Sequence, residues 1–248
     1  MNSHPWDRFL TENDRAHLAT SKHQDIGFGE KPAMLLIDIY RGVMGDEPQP
    51  LMEALKNWPS STGLGGWEAV KHVQRLLGVA REVGIPVVHA TGNVEIPHWS
   101  ERRHGGRERT LDAAAQDRIR RRFDIIDEVA PIPGEIIIRK SSPSAFFSTT
   151  LAPHLNYIDV DTLIVCGEST SGCVRASVVD GCSHRYRMMV VEEGVWDRHE
   201  ACHAMSLFDL NQKYADVVNV DQTIDWLRDW RARQDTAARE PQLAGVGR

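Results

Sequence analysis

Short apolar segments alternate along this chain with longer segments of helical periodicity. Strands are predicted at 33–39, 85–91, 136–139, 163–166, 188–191 and 217–220. Helices are predicted between them, for example at 67–83, because apolar residues recur there every three or four positions. The repeated order of strand, helix and strand predicts a three-layer α/β/α fold with a mostly parallel, six-stranded, Rossmann-like sheet.

The segments outside this pattern are predicted to surround a single domain. The predicted divisions are an N-terminal arm at 1–31, the domain at 32–234 and a flexible C-terminal tail at 235–248. The arm is interpreted as peripheral, wrapping a neighbouring subunit, with a short helix near 14–21. Residues 40–65 are rich in Gly, Pro and Ser and are predicted to form a long loop. An insertion at 92–118 contains an arginine-rich stretch, 96–109, interpreted either as a solvated surface or as a substrate-side loop.

Composition narrows the possible classes of protein. The net charge of -6 argues against a surface for nucleic acid or anionic membrane. No apolar run is long enough for a membrane span, and the first residues lack the pattern of a signal peptide. The 4 cysteines show no CxxC pairing, so we expect reduced thiols in a cytoplasmic protein.

A strand, a tight turn and a helix are predicted over residues 162–180, with Cys173 in the first helical turn. Unpaired N–H groups and the positive end of a helix dipole favour thiolate over thiol at such a position. Thiolate is the reactive form of cysteine, and the same N–H groups are suited to hold an oxyanion. The alternative is that Cys173 is a small buried hydrophobic residue, as many free cysteines are.

Two further reactive side chains are predicted at strand ends. Asp38 lies at the end of the first strand, and Lys140 follows the third. Ligands bind outside the carboxyl ends of the strands in open parallel sheets. We therefore expect Asp38, Lys140 and Cys173 to meet at one crevice as base, cation and nucleophile. Taken singly, Asp38 also fits a loop-starting cap and Lys140 a surface lysine.

Four stretches of the chain resemble the isochorismatase-like cysteine hydrolase superfamily. They are LLIDIYRG around Asp38, IIIRKSSPSAFF around Lys140, CGESTSGCVRAS around Cys173, and VWDRHEACHAMSLFDLNQKYADV after the fifth strand. The resemblance covers about residues 31–230 and is closest to the N-carbamoylsarcosine amidohydrolase-type branch. The superfamily also includes nicotinamidases, ureidoacrylate amidohydrolases and maleamate amidohydrolases.

This resemblance implies a cysteine-dependent amidohydrolase. The implied substrate is a small linear amide or N-carbamoyl compound bearing a carboxylate, cleaved through a thioester with release of ammonia. A maleamate- or nicotinamide-type amidase is an alternative. Isochorismatases proper cleave a vinyl ether and lack the nucleophilic cysteine, so Cys173 counts against that chemistry. An ether hydrolase and a catalytically idle interaction module remain as further alternatives.

The resemblance also implies the backbone and the catalytic groups of the site. It implies a catalytic triad of Asp38, Lys140 and Cys173. It further implies a cis peptide between Glu168 and Ser169, which turns the Ser169 N–H toward that of Cys173 to make an oxyanion hole.

Substrate-binding residues are expected around these groups. Arg198 falls where the carbamoylsarcosine-type branch binds a substrate carboxylate, and a planar guanidinium fork suits that ligand. Its alternative is a surface salt bridge. Thr170, Trp99 and Phe146 are predicted to line the pocket, although Phe146 is equally a candidate for the core or for a subunit interface.

No cofactor and no catalytic metal are expected. Nicotinamidases carry a metal site with an Asp-x-His motif after the first strand, whereas residues 40–65 contain no histidine. The alternative is a zinc site at His199 and His203, whose i, i+4 spacing is compatible with zinc but has no obvious third ligand. The expected partners are the small-molecule amide or ureido substrate and further copies of the chain in a homo-oligomer, with neither nucleic acid nor membrane.

Overall fold

Six parallel strands form the centre of the molecule in the computed structural model, which describes residues 4–20, 24–95 and 112–244. The strands are β1 (Pro32–Ile37), β2 (Val87–Gly92), β3 (Ile136–Lys140), β4 (Thr162–Glu168), β5 (Arg187–Trp196) and β6 (Asp216–Val218). They are ordered β3-β2-β1-β4-β5-β6, and every neighbouring pair is parallel. This arrangement confirms the predicted Rossmann-like sheet.

Helices cover both faces of the sheet. Those of the described residues are α1 (Glu12–Thr20), α2 (Arg41–Met44), α3 (Leu51–Ala54), α4 (Leu64–Val83), α5 (Ala113–Arg121), α6 (Leu151–Tyr157), α7 (Arg175–Ser183), α8 (Glu200–Lys213) and α9 (Val220–Ala244). No helix among them has both the length and the apolar character needed to span a membrane.

The hydrophobic core has two parts, one on each face. Successive residues of a strand point to opposite faces. Met34 and Leu36 of β1 therefore join the cluster that includes α4 and α9, whereas Leu35 and Ile37 join the cluster that includes α6, α7 and α8. All four side chains are buried. Burial on both faces is typical of parallel strands covered by helices, and it makes the fold three-layered.

The segment 40–65 is more ordered than its composition predicts. It contains α2, α3 and the first residues of α4 instead of one long loop. Val43 and Met44 are buried, and the Trp67 indole N–H donates to the Met44 carbonyl at 2.9 Å. Tertiary packing of these apolar side chains thus outweighs the weak local propensity of a Gly- and Pro-rich stretch.

The C-terminal helix extends further than predicted. We expected it to end near residue 233, but α9 continues to Ala244. Residues 235–240 read DTAARE, in which alanine, arginine and glutamate are strong helix formers. The first glycine after them is Gly245. The prediction gave too much weight to the glycines at the end of the chain.

The N-terminal segment packs against its own domain. Trp6 is buried in the core and contacts Phe208 of α8, with ring centroids 6.2 Å apart. The Asp216 carboxylate of β6 accepts hydrogen bonds from the N–H groups of Ile26 and Gly27. The predicted short helix is present as α1, which has no buried residue. The wrapping of a neighbouring subunit stays a prediction.

Candidate active site

Asp38, Lys140 and Cys173 come together at the carboxyl ends of the strands. The Lys140 Nζ lies 2.7 Å from Asp38 Oδ2 and 3.4 Å from Cys173 Sγ. Asp38 and Lys140 are each 1% exposed, and Cys173 is 9% exposed. Lys140 lies two strands away from Asp38, paired with Gly92 at the end of β2, and its long side chain reaches Asp38 from there. The fold therefore joins three residues that are far apart in sequence.

The backbones of β1 and β4 approach each other closely beside this cluster. Ile37 is paired with Gly167, whose φ is +123°. A Cβ atom at Gly167 would lie 2.0 Å from the Ile37 carbonyl oxygen, so only glycine fits there. Asp38 follows directly with φ 56°, a conformation that aspartate tolerates better than most residues. The Asp38 side chain is therefore placed by an unusual backbone at a strand end.

Cys173 lies in the first helical turn after a kink at Gly172. The peptide bond from Glu168 to Ser169 is cis, as the resemblance implies. The Ser169 carbonyl then accepts hydrogen bonds from Gly172 N at 2.9 Å and Val174 N at 3.2 Å. Gly172 has non-helical angles of φ -114° and ψ -108°, and α7 begins only at Arg175. Val174 has helical angles of φ -61° and ψ -56°, so the predicted helix start near 171 or 172 is confirmed, with a kink at Gly172.

Two side chains after β5 hold this turn in place. Asp197 Oδ2 accepts hydrogen bonds from the Ser171 N–H at 2.9 Å and from its hydroxyl at 2.6 Å. His203 Nδ1 of α8 is 2.8 Å from the hydroxyl of Thr170, which is fully buried. Sequence reasoning did not assign a role to Asp197. Its position in the stretch VWDRHE, directly beside Arg198, was the available signal.

The electrostatics favour a resting thiol. Burial raises the pKa of Cys173 well above its usual range, and the Asp38 charge adds to this, while Lys140 opposes it. Burial lowers the pKa of Lys140, but the charges of Asp38 and Cys173 outweigh that effect and raise it to about 12. The expectation that the helix end favours thiolate stays a prediction, and burial together with the charge of Asp38 acts against it. Asp38 Oδ1 is buried without a hydrogen-bond partner among the described residues.

Two more ionisable groups lie near the cluster. Burial raises the pKa of Tyr40, and the charges of Asp38, Glu168 and Cys173 raise it further, to well above its usual range. Burial raises the pKa of Glu168 to about 8, with a further contribution from the charge of Asp38. Neither residue was assigned to the site from the sequence, because no periodic pattern indicates which buried side chains face a crevice.

The predicted substrate-binding residues are scattered. Arg198 is exposed and lines a cavity of about 480 Å³ together with Trp196 and His203. Its guanidinium forms no salt bridge within the described part of the chain. Phe146 lies in the core, stacked on His184 and Tyr186 with ring centroids 5.3 Å and 5.9 Å away, which is the core position left open from the sequence. Trp99 and the arginine-rich stretch 96–109 lie outside the described residues.

The described residues contain no group of three or more His, Cys, Asp or Glu side chains placed to hold a metal ion. Of the two histidines with zinc-compatible spacing, His199 is the N-cap of α8, and His203 contacts Thr170 through Nδ1.

Comparison with known proteins gives matches over most of the chain. The family model described as the isochorismatase domain matches residues 32–222. Maleamate amidohydrolase from Pseudomonas putida is 38% identical over 207 residues, which cover 83% of this chain and 91% of that protein. N-carbamoylsarcosine amidase from an Arthrobacter species is 29% identical over 213 residues, which cover 82% of this chain and 73% of that protein.

Solved structures show the same fold. An isochorismatase-like hydrolase from Alkaliphilus metalliredigens superposes with a TM-score of 0.60 at 25% sequence identity, covering 79% of this chain and 98% of that one.

Proposed function

Since the chain belongs to the isochorismatase family, we propose that it is an amidohydrolase that uses Cys173 to cleave the C–N bond of a small amide. The observation that carries this proposal is the buried contact of Lys140 with both Asp38 and Cys173. A carboxylate, a cation and a thiol in one buried cluster are the groups that base-assisted nucleophilic catalysis requires.

In the first half-reaction, Asp38 takes the proton of the Cys173 thiol, and the thiolate forms beside Lys140. The sulfur attacks the amide carbon, and the N–H groups of Ser169 and Cys173 stabilise the negative carbonyl oxygen. When the C–N bond breaks, protonated Asp38 gives its proton to the leaving ammonia or amine. A thioester with Cys173 remains.

In the second half-reaction, water replaces the amine. Asp38 accepts a proton from the water as its oxygen attacks the thioester carbon. The C–S bond breaks, the product leaves as a carboxylic acid, and the proton returns from Asp38 to Cys173. Lys140 forms an ion pair with Asp38 while Asp38 is ionised, and it offsets the charge that develops on sulfur when Asp38 carries the proton.

We propose a substrate that carries a carboxylate beside the amide. The support is Arg198, whose guanidinium is exposed, lacks a salt bridge among the described residues and lies next to Asp197, which holds the turn of the nucleophile. The similarity to maleamate amidohydrolase over 91% of that protein favours an amide of a small dicarboxylic acid. Thr170 and Trp99 remain proposed pocket residues.

A second candidate is an N-carbamoyl compound, in which the carbamoyl carbonyl is attacked and both ammonia and carbon dioxide are released. The similarity to N-carbamoylsarcosine amidase supports it. The same cluster of Asp38, Lys140 and Cys173 serves both reactions, because each begins with attack of the sulfur on a carbonyl carbon.

Ammonia release across a substrate panel tests the proposal. The panel contains maleamate, N-carbamoyl amino acids, ureidoacrylate and nicotinamide, with Cys173→Ala as the control. Turnover should survive dialysis against a chelator, since no step uses a metal. Pyruvate release from isochorismate would instead indicate an ether hydrolase, and failure of a thiol reagent to label Cys173 selectively would indicate an idle interaction module.

We further propose that the enzyme is cytoplasmic and homo-oligomeric. All four cysteines are free, as expected of reduced thiols. Ile137 of the edge strand β3 is 46% exposed and Phe147 is 62% exposed, so apolar side chains are available to contact a second copy. Light scattering on the full chain tests the oligomeric state.

A further inference from the structure

Tyr40 carries a hydroxyl group at the carboxyl end of β1 that the mechanism above does not use. It lies two residues after Asp38 and directly precedes α2. The residue is 7% exposed, and its hydroxyl forms no hydrogen bond with the residues that the structure describes. The oxygen is not one of the fully buried atoms that lack a partner, so it faces open space. A hydroxyl group placed in this way is free to bind a ligand.

The ring of Tyr40 is held in place by Phe123. The two rings meet edge to face, with their centroids 5.2 Å apart and their planes at 86°. Phe123 covers the end of β2, because a Cβ atom at Gly92 would lie 2.3 Å from its ring. Gly92 is in turn the register partner of Lys140. The hydroxyl is therefore presented by a packed aromatic pair beside the strand ends that carry the reactive groups.

The hydroxyl of Tyr40 faces the groups of the proposed mechanism. Burial raises its pKa well above the usual range, and the charges of Asp38, Glu168 and Cys173 raise it further. The charge of Arg122 opposes them. Such effects decline with distance, so the base and the nucleophile lie near the phenol oxygen. The open space in front of this oxygen is therefore the crevice that the substrate enters.

The leaving nitrogen is the part of an amide that fits in front of Tyr40. Asp38 gives its proton to this nitrogen, so the nitrogen must come close to Asp38, whereas the carbonyl oxygen turns to the N–H groups of Ser169 and Cys173. The negative charge of Asp38 repels a substrate carboxylate from this place but favours amide N–H groups. A phenol oxygen accepts hydrogen bonds as well as donating them.

We propose that Tyr40 is a specificity-determining residue whose hydroxyl oxygen accepts a hydrogen bond from the leaving nitrogen, so that the enzyme selects amides with an unsubstituted NH2 group. This inference rests on the proposed function. The NH2 group offers an N–H to Tyr40 while the nitrogen lone pair takes the proton of Asp38. Methyl groups on the nitrogen remove that donor and crowd a ring that Phe123 holds in place.

The steady-state kinetics of Tyr40→Phe with the turned-over primary amide test this contact. The substitution removes the hydroxyl but keeps the ring on Phe123. We therefore expect kcat/KM to fall about 3- to 10-fold, the usual value of one neutral hydrogen bond, mainly through a higher KM. A value of kcat/KM equal to that of the wild type would overturn the proposal.

Tyr186→Phe is the matched control, since it also removes one hydroxyl from a mostly buried tyrosine. Tyr186 is 8% exposed, packs on Phe146 and donates to Asn156 Oδ1 at 2.8 Å. It directly precedes β5, at the amino ends of the strands. Its kcat/KM should stay within about twofold of the wild type. Equal losses in Tyr40→Phe and Tyr186→Phe would mean that both act through packing, and the proposal would fail.

The reactivity of Cys173 shows whether Tyr40 acts on the substrate or on the nucleophile. Labelling of Cys173 by methyl methanethiosulfonate, quantified by peptide mass, should be equally fast in the wild type and in Tyr40→Phe. Slower labelling in Tyr40→Phe would overturn the proposal, because the hydroxyl would then serve to place the sulfur.

Binding of intact amides to Cys173→Ala separates this inference from the proposed function. Calorimetry on the full chain measures Kd for maleamate and for its N,N-dimethyl analogue, which has no N–H group. Adding Tyr40→Phe should raise Kd about 3- to 10-fold for maleamate only, and an equal rise for both ligands would overturn the proposal. If maleamate binds in this way but no amide of the panel is hydrolysed, the proposed function fails and the role of Tyr40 stands. If an amide is hydrolysed but neither kcat/KM nor Kd depends on the hydroxyl, the proposed function stands and this inference fails.

Discussion

Cys173 differs from the other cysteines at the scale of single residues, because it contacts a cation. Lys140 Nζ is 3.4 Å from its sulfur, whereas Cys182 lies near the end of α7 and Cys202 is exposed on α8. Cys173→Ala should abolish amide hydrolysis with an unchanged circular dichroism spectrum. Cys182→Ala should keep activity within about twofold, because surface and peripheral substitutions have small effects. Ammonia release by both variants is the measurement, and equal losses would rule out Cys173 as the nucleophile.

Arg198 allows a test of how the substrate is held. If the pair of Arg198 with a substrate carboxylate were desolvated, as the sequence suggested, removal of the Arg198 side chain would weaken substrate binding by about 2–4 kcal/mol. Because Arg198 is exposed, we expect Arg198→Ala to weaken substrate binding by only roughly 1–2 kcal/mol. The substitution should raise KM more than it lowers kcat. Arg198→Lys keeps the charge without the fork and should recover only part of the loss.

A comparison of two substrates provides the control for Arg198→Ala. The values of kcat/KM for an acidic amide and for its neutral analogue should be measured in wild type and Arg198→Ala. Only the acidic substrate should lose activity, and Cys173 labelling should stay unchanged. A loss of the same factor for both substrates would make Arg198 a structural residue.

At the scale of structural elements, the turn that carries Cys173 is held from β5 and α8. Removing the acceptor in Asp197→Ala, or the donor hydroxyl in Ser171→Ala, should lower kcat about 10- to 100-fold with little change in KM, because small misplacements of a reacting group are costly. The double variant should lose less than the sum of the single losses, since both remove the same contact.

Asp209→Ala is the matched control for the turn. Asp209 joins α8 to Arg175 of α7 at 2.6 Å, one element beyond the turn itself. If it lowers kcat as much as Asp197→Ala, the effect comes from packing of α7 on α8 and not from the turn. Slower alkylation of Cys173 in Asp197→Ala but not in Asp209→Ala would locate the effect at the nucleophile.

The sequence predicts that Asp38, Lys140 and Cys173 lie together, but not the contacts of the turn that carries Cys173. Asp38, Lys140 and Cys173 follow apolar runs, and a parallel sheet brings the ends of such runs to one edge. The contact of Asp197 with Ser171 depends instead on how β5 is aligned with β4. Between Val165 and Gly167 the register shifts, so that their partners on β5 are Val190 and Val195. Local periodicity carries no information on such a bulge, and for this reason Asp197 and Glu168 were missed.

At the scale of the whole molecule, a second buried charged network lies at the other end of β3 from Lys140. The Glu135 carboxylate accepts hydrogen bonds from Arg81 of α4 at 2.7 Å and 3.0 Å and from Ile132 N at 3.0 Å, and it contacts His89 of β2 at 2.8 Å. It therefore joins a helix, a central strand and the start of the edge strand. Because it is remote from Cys173, we expect it to affect stability without affecting kcat.

The pKa of the Glu135 carboxyl group determines how the stability that this network provides changes with pH. Burial raises the pKa of Glu135, but hydrogen bonds from Arg81 and His89 outweigh it and lower the pKa from 4.5 to about 2. A depressed pKa stabilises the folded state above pH 4.5, and this contribution is lost as pH falls toward 2. This pKa shift corresponds to a contribution of about 3 kcal/mol at most to the free energy of unfolding. Solvent near the partly exposed Arg81 screens the interaction and reduces the contribution to roughly 1–2 kcal/mol.

Glu135→Gln should therefore lower the free energy of unfolding by roughly 1–2 kcal/mol at pH 7 and by clearly less at pH 3, because the carboxyl group of the unfolded wild-type chain is then protonated, which favours unfolding. Urea unfolding at both pH values measures the difference. Glu68→Gln is the control: Glu68 pairs with Lys71 on the surface and is 67% exposed, so its effect should stay within about 0.5 kcal/mol. A Glu135→Gln difference that does not change with pH would show that lost packing, rather than the charge of Glu135, stabilises this end of the sheet.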